Sequence, residues 1–376
     1  MTATLDGATL GERMRTAAAR GESMIALEGA TIVGTLDLAG TRVTVPLIFT
    51  DCTFERPLDL RAARLETLLI SGCELGGIAA EGARIAGDFQ LCEGSRVGGA
   101  VRLDRAVIGG SVSFNGASCT SDDGPAVGLD GARIAGHVMA ANGFAARGGV
   151  SLREAVIGGM LYCAHGNFEN PESIALDGEG ARIAQNVALN HQFRARGTVK
   201  LRGAKIGRDL YCPHGSFATP GGDALLAERI EVAGRAVLGE WFSAKGAVHL
   251  GEAAIGGDLF CVGGIFQNAG GIALAAERIR VGGNVRMHGR FLAQGSVSFA
   301  EATVGRSFLC MNGVFENRGG TALEVSRAVI GRDLILGEEF RAVGAVRLDE
   351  AQIGGAIDLE EAQCDALSRE GVVVGR

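Results

Sequence analysis

The chain has 376 residues, of which 60 are Gly, 47% are apolar, 21% are charged and 5% are aromatic. That apolar share excludes disorder, and a Gly content well above the usual ~7% without a G-X-Y triplet excludes collagen. The net charge is −7, the stretch from Asp333 onward is rich in acids, and no basic stripe of the kind that grips nucleic acid phosphates stands out, so no direct nucleic acid binding is expected.

In chain order, residues 1–23 come first. Their start, Met-Thr-Ala-Thr-Leu-Asp-Gly, lacks the basic region and apolar core of a signal peptide, and no apolar run in the chain approaches the ~18 residues of a membrane span. The expectation is a cytoplasmic protein with no membrane span. The segment Leu10–Arg20 predicts a short helix placed to cap the N-terminal end of the strand-rich remainder. Residues 24–97 carry apolar pairs two apart at steps near five: Leu36-Asp-Leu38, Thr41-Arg-Val43, Cys52-Thr-Phe54, Leu58-Asp-Leu60, Ala63-Arg-Leu65 and Cys73-Glu-Leu75. A spacing of two is the period of a strand.

Residues 98–360 repeat every 49 positions. Cys163, Cys212, Cys261 and Cys310 form one series; Phe144, Phe193, Phe242, Phe291 and Phe340 form a second; Phe168, Phe217, Phe266 and Phe315 form a third. Leu103 to Leu348 and Ile108 to Ile353 hold two further registers at the same step. Each repeat has two similar halves of short strands broken at Gly, which predicts a coil of roughly 24 residues stacked on its neighbours about 4.8 Å away. Gly is expected at the corners because it adopts positive φ without steric cost. Loops such as Glu169–Ser173 lengthen alternate coils, and residues 361–376 are expected to cap the far end. The fold expected is all-β, a single-domain parallel β-helix solenoid with an N-terminal helical cap, rather than the two or three domains that length alone suggests.

The pairs in residues 24–97 resemble the A-(D/N)-L-x-x units of pentapeptide-repeat proteins, a likeness that loosens beyond residue 98. The resemblance implies a four-sided, right-handed coil. Some members of that family imitate duplex DNA and occupy type II topoisomerases, so DNA mimicry is one function it implies. Units such as Ile255-Gly-Gly-Asp-Leu259 are also similar to those of Gly-rich bacterial repeat proteins labelled oxidoreductases, although no cofactor fingerprint accompanies them here.

Four sets of residues are candidates for function. The Cys series takes the inward slot of its strand, and successive members lie too far apart for the ~7 Å limit of a disulfide, so these are core thiols. Their strand neighbours Tyr162, Tyr211, Phe260 and Leu309, with Val237 and Ile335 on alternate coils, must point outward. An apolar outward wall is either a contact site or a surface covered by the long loops. His165, His191 and His214 share a corner register and would be a metal site only with a fourth ligand that does not suggest itself. Glu252, Glu301 and Glu350, and Asp209, Asp258 and Asp333, recur as the repeat recurs, which is the pattern of solvated corners rather than of one catalytic constellation. With no catalytic or nucleotide-binding motif, no cofactor or metal is expected. The leading expectation is a non-enzymatic scaffold that docks a protein partner, or a second copy as a homodimer, through the apolar wall.

Overall fold

A computed structural model describes residues 3–375. The chain divides into two compact units, the first made of Met1–Asn170 with Ile174–Gln185 and the second of Pro171–Ser173 with Asn186–Arg376. Each is a parallel β-solenoid, so the all-β fold read from the repeat is the fold observed.

In the first unit, Thr4–Asp6 pairs in parallel with Thr31–Val33 of the first coil. Helix α1 (Gly7–Thr16) comes next, because the Asp6 carboxylate accepts the Thr9 backbone N–H at 2.9 Å and caps its first turn. That bond, with a second from the Thr9 hydroxyl, holds the Asp6 carboxyl below the usual carboxylate range. Leu10, Met14 and Ala17 are buried. A Cβ on Gly7 would come within 2.7 Å of the Thr35 carbonyl, so the helix backbone itself presses on the first coil. Strand and helix together shield an edge that would otherwise offer unpaired N–H and C=O groups.

The coils of this unit carry four short strands, for example Thr53–Phe54, Leu58–Asp59, Arg64–Leu65 and Leu68–Ser71. Each stacks in register on its counterpart one coil along, as Leu47 pairs with Leu68 and Leu68 with Phe89. Apolar residues at alternate positions point inward and fill the interior, as the period of two requires.

In the second unit a coil has three strands. Face 1 holds pairs such as Val187–Ala188, face 2 holds long strands such as Ser216–Leu226 and Ser243–His249, and face 3 holds pairs such as Lys205–Ile206. On face 1 Val187 pairs with Leu210 and Leu210 with Ala236, so successive coils run 23 and 26 residues and together give the 49-residue repeat. The extra residues form a small excursion in the middle of the longer face 2 strand, where the register with the neighbour shifts. An Asn side chain clasps the base: Asn268 donates to the Ile272 carbonyl and Asn317 to the Thr321 carbonyl, each at 2.9 Å.

The two Phe series of the sequence become one column. Phe193, Phe217, Phe242, Phe266, Phe291, Phe315 and Phe340 contribute one ring per coil, with successive centroids 5.1–5.7 Å apart. Cys212, Cys261 and Cys310 are likewise buried, and loss of hydration pushes their thiols up from the usual range. All nine cysteines are free thiols.

The expected reason for the Gly excess, positive φ, holds for 26 glycines and leaves the others to a second cause. Many left-handed corners carry other residues: Arg229, Glu252, Arg278, Glu301, Arg327 and Glu350 form a column with φ of 54–60°. Gly is demanded as well where one coil's carbonyl crowds the next coil's Cα. A Cβ on Gly282 would lie 2.3 Å from the Gly256 carbonyl oxygen, and Gly305, Gly331 and Gly354 repeat the contact at 2.4–2.5 Å. Gly282→Val should therefore destabilise the unit by about 1–3 kcal/mol as an overpacked site; a melting temperature equal to wild type would refute this.

The carboxylates that looked like solvated corners have two structural jobs. Glu252 and Glu301 pair with Arg278 and Arg327 of the adjacent coil at 2.9 Å, so the corner column alternates in sign. Hydrogen bonding from Arg278 holds the Glu252 carboxyl below its usual range. Asp209, Asp258 and Asp333 accept backbone N–H groups one coil along, from Arg235 at 2.7 Å, Asn284 at 2.7 Å and Ala356 at 3.0 Å. Asn284 does the same for Ser307 at 3.2 Å. Side-chain oxygens thus satisfy donors at a corner where the strands no longer pair.

A candidate interaction face

Face 1 positions the outward apolar residues, because a two-residue strand pins one side chain in and one out. In the second unit the outward members stack in register as Ala188, Tyr211, Val237, Phe260, Arg286, Leu309, Ile335 and Asp358. Tyr211, Phe260, Leu309 and Ile335 are half-buried. Val237, 4% exposed between Tyr211 and Phe260, offers almost no surface. Of the two charged members, Asp358 ends the row and Arg286 turns toward Asp258 at 3.1 Å.

The long loops leave from face 2, not from face 1. Their polar contacts close on face 2: Thr198 donates to the Asp223 carbonyl at 2.8 Å, and His249 Nε2 meets the Asp223 carboxylate at 2.9 Å. The clasping Asn residues bond within their own excursions on the same face.

One residue escaped the reading of the repeat. Trp241, the sole Trp, is 60% exposed at the corner between faces 1 and 2. It occupies an extra left-handed position, φ 68°, that alternate coils insert after the corner residue, so no period of apolar slots pointed to it. With Glu240, Arg290, Val262, Ile265 and Leu292 it lines a notch of about 340 Å³ that also takes in Gly263 and Gly289. Its signal in the sequence was an aromatic residue in a register otherwise filled by Gln192, Arg290 and Glu339.

In the first unit the same outward row reads Ile48, Leu69, Gln90, Ser113, Met139 and Tyr162. The sequence reading began the wall at Tyr162 and missed Ile48 and Leu69, which lie where the coils are shorter and the 49-residue step does not yet hold, and Met139, which shares the 49-residue register of Val237 and Ile335.

His165 belongs to the first unit, and His191 and His214 belong to the second, all three exposed at left-handed corners with φ of 46–58°. Among the described residues no three His, Cys, Asp or Glu side chains gather in a way that could hold a metal ion. No described helix is long and apolar enough to cross a membrane.

Comparison with protein-family models, with curated proteins and with solved structures finds no match to this chain.

Proposed function

We propose that this protein is a non-enzymatic interaction scaffold, a divergent pentapeptide-repeat-like solenoid whose face 1 in the second unit docks a protein partner or a second copy of the chain. The observation that carries the reading is an exposed Trp close to a row of half-buried Tyr, Phe, Leu and Ile side chains on the outward side of face 1. Trp and Tyr set in apolar surroundings are the residues that dominate protein interfaces. A cytoplasmic site of action suits nine free thiols. DNA mimicry suits the surface less, since the second unit alternates its corner charges and its sequence balances acids with bases.

Replacing Tyr211 and Phe260 together by Ser, with Trp241→Ala as an independent variant, tests the reading. Association measured by light scattering, or capture of the partner, should fall at least tenfold in each while the melting temperature stays within a few degrees. An associated state that survives all three substitutions counts against face 1 as the contact.

A further inference from the structure

We propose that face 3 of the first unit binds single-stranded nucleic acid through a straight column of arginines that grips the phosphate backbone. The column is assembled by strand register. Arg42 pairs with Arg64 and Arg64 with Arg84, then Val107, Arg133, Val156 and Arg182 come one per coil. At about 4.8 Å per coil, three guanidinium-bearing positions succeed one another without interruption, and the whole column spans roughly 29 Å. All five arginines are exposed, and among the described residues none of them makes an ion pair. Within two positions of these strands stand six arginines, Arg105 included, against two glutamates, Glu66 and Glu154; one position further out on the N-terminal side come Arg61 and Arg153 with Glu81, Asp104, Asp130 and Glu179. A groove of about 400 Å³ runs along Arg42, Arg64, Arg84 and Val107, with Glu66 at its side.

Two comparisons within the chain give the column its meaning. Like charges placed directly opposite in a sheet are destabilising, and the second unit avoids them: Lys205 pairs with Glu231 on face 3 at 2.9 Å, and its corner column alternates Arg with Glu. The first unit meanwhile carries more acids than bases overall and pairs Arg13, Arg61 and Arg96 with them, yet it leaves the five arginines of this column without an ion pair among the described residues. The missing partner is therefore an external anion, and a linear one.

Its chemistry is set by geometry. Arg matches phosphate with two parallel N–H donors, and its planar face stacks on an unpaired base. In a duplex the phosphates wind around the axis and leave a straight row after a few base pairs, whereas a single strand can lay successive phosphates along it. No aromatic side chain stands in the column, so binding is electrostatic and independent of sequence.

The test is fluorescence anisotropy of a labelled oligothymidylate with the full chain at about 50 mM salt, repeated as salt is raised. Neutralising three to five phosphates gives a log–log salt slope of about −2 to −3.5, and each Arg removed lowers its magnitude by about 0.7. R42Q/R64Q/R84Q should abolish binding at that salt, R133Q/R182Q should weaken it severalfold, and Lys205→Gln on the second unit should leave it unchanged. Circular dichroism and thermal melting establish that the variants are folded. No binding by the wild type, equal binding by the triple variant, or stronger binding of a duplex or of polyglutamate than of the single strand would each overturn the proposal.

Discussion

Phe266→Ala is expected to cost about 3–5 kcal/mol, the range for removing a fully buried Phe from a packed core. The ring is completely buried and stands 5.4 Å from Phe242 on one side and 5.4 Å from Phe291 on the other. Truncation deletes two ring contacts and leaves a cavity that the rigid backbone ladders cannot close. In a solenoid each coil touches only its neighbours, so the loss is local. Amide exchange should accelerate in the coils holding Phe242, Phe266 and Phe291 before it does elsewhere. Phe266→Leu should recover more than half of the lost stability. Equal costs for Leu and Ala, or an unaltered melting curve for either, would mean that the column is not a continuous packing unit.

Asp258→Ala is expected to cost about 1–3 kcal/mol, because it strips the partner from a donor that has little access to water. One oxygen of Asp258 accepts both the backbone N–H of Asn284 at 2.7 Å and its side-chain amide at 3.1 Å, and the other faces Arg286 at 3.1 Å. Space for this oxygen exists only because Gly283 has no Cβ, which would lie 2.0 Å away. Asn keeps the accepting oxygen, so Asp258→Asn should retain most of the stability and lose chiefly the Arg286 contact. Denaturant midpoints of the two variants separate these contributions: if Asn is as damaging as Ala, the ion pair matters and the corner acceptor does not.

The solenoid could be read from the sequence because its interior repeats strictly: Cys261, Phe266 and Ile255 face inward in every copy of their slot, and a period of two with breaks at Gly allows nothing but short strands. What stayed hidden depended on distances that vary. Arg42, Arg64 and Arg84 are 22 and 20 residues apart, outside the 49-residue step, and only the pairing register shows them to be neighbours. That register sets on consecutive coils three arginines that form no basic run along the chain. Trp241 was overlooked for the opposite reason, since it belongs to a residue that only alternate coils insert. The Gly residues were counted correctly and explained incompletely: positive φ accounts for Gly263, while Gly282 answers to a carbonyl oxygen on the neighbouring coil, a contact no single strand can reveal.

The alternation of 23- and 26-residue coils also bears on how such a chain changes length. Gain or loss of a single coil would set two coils of the same kind side by side, two long or two short. Gain or loss of a pair restores every neighbour to its proper kind. The repeating module is thus the pair, and the Cys and Phe series mark it: their buried slots keep one residue type from copy to copy, whereas the outward row changes from Tyr211 to Phe260 to Leu309.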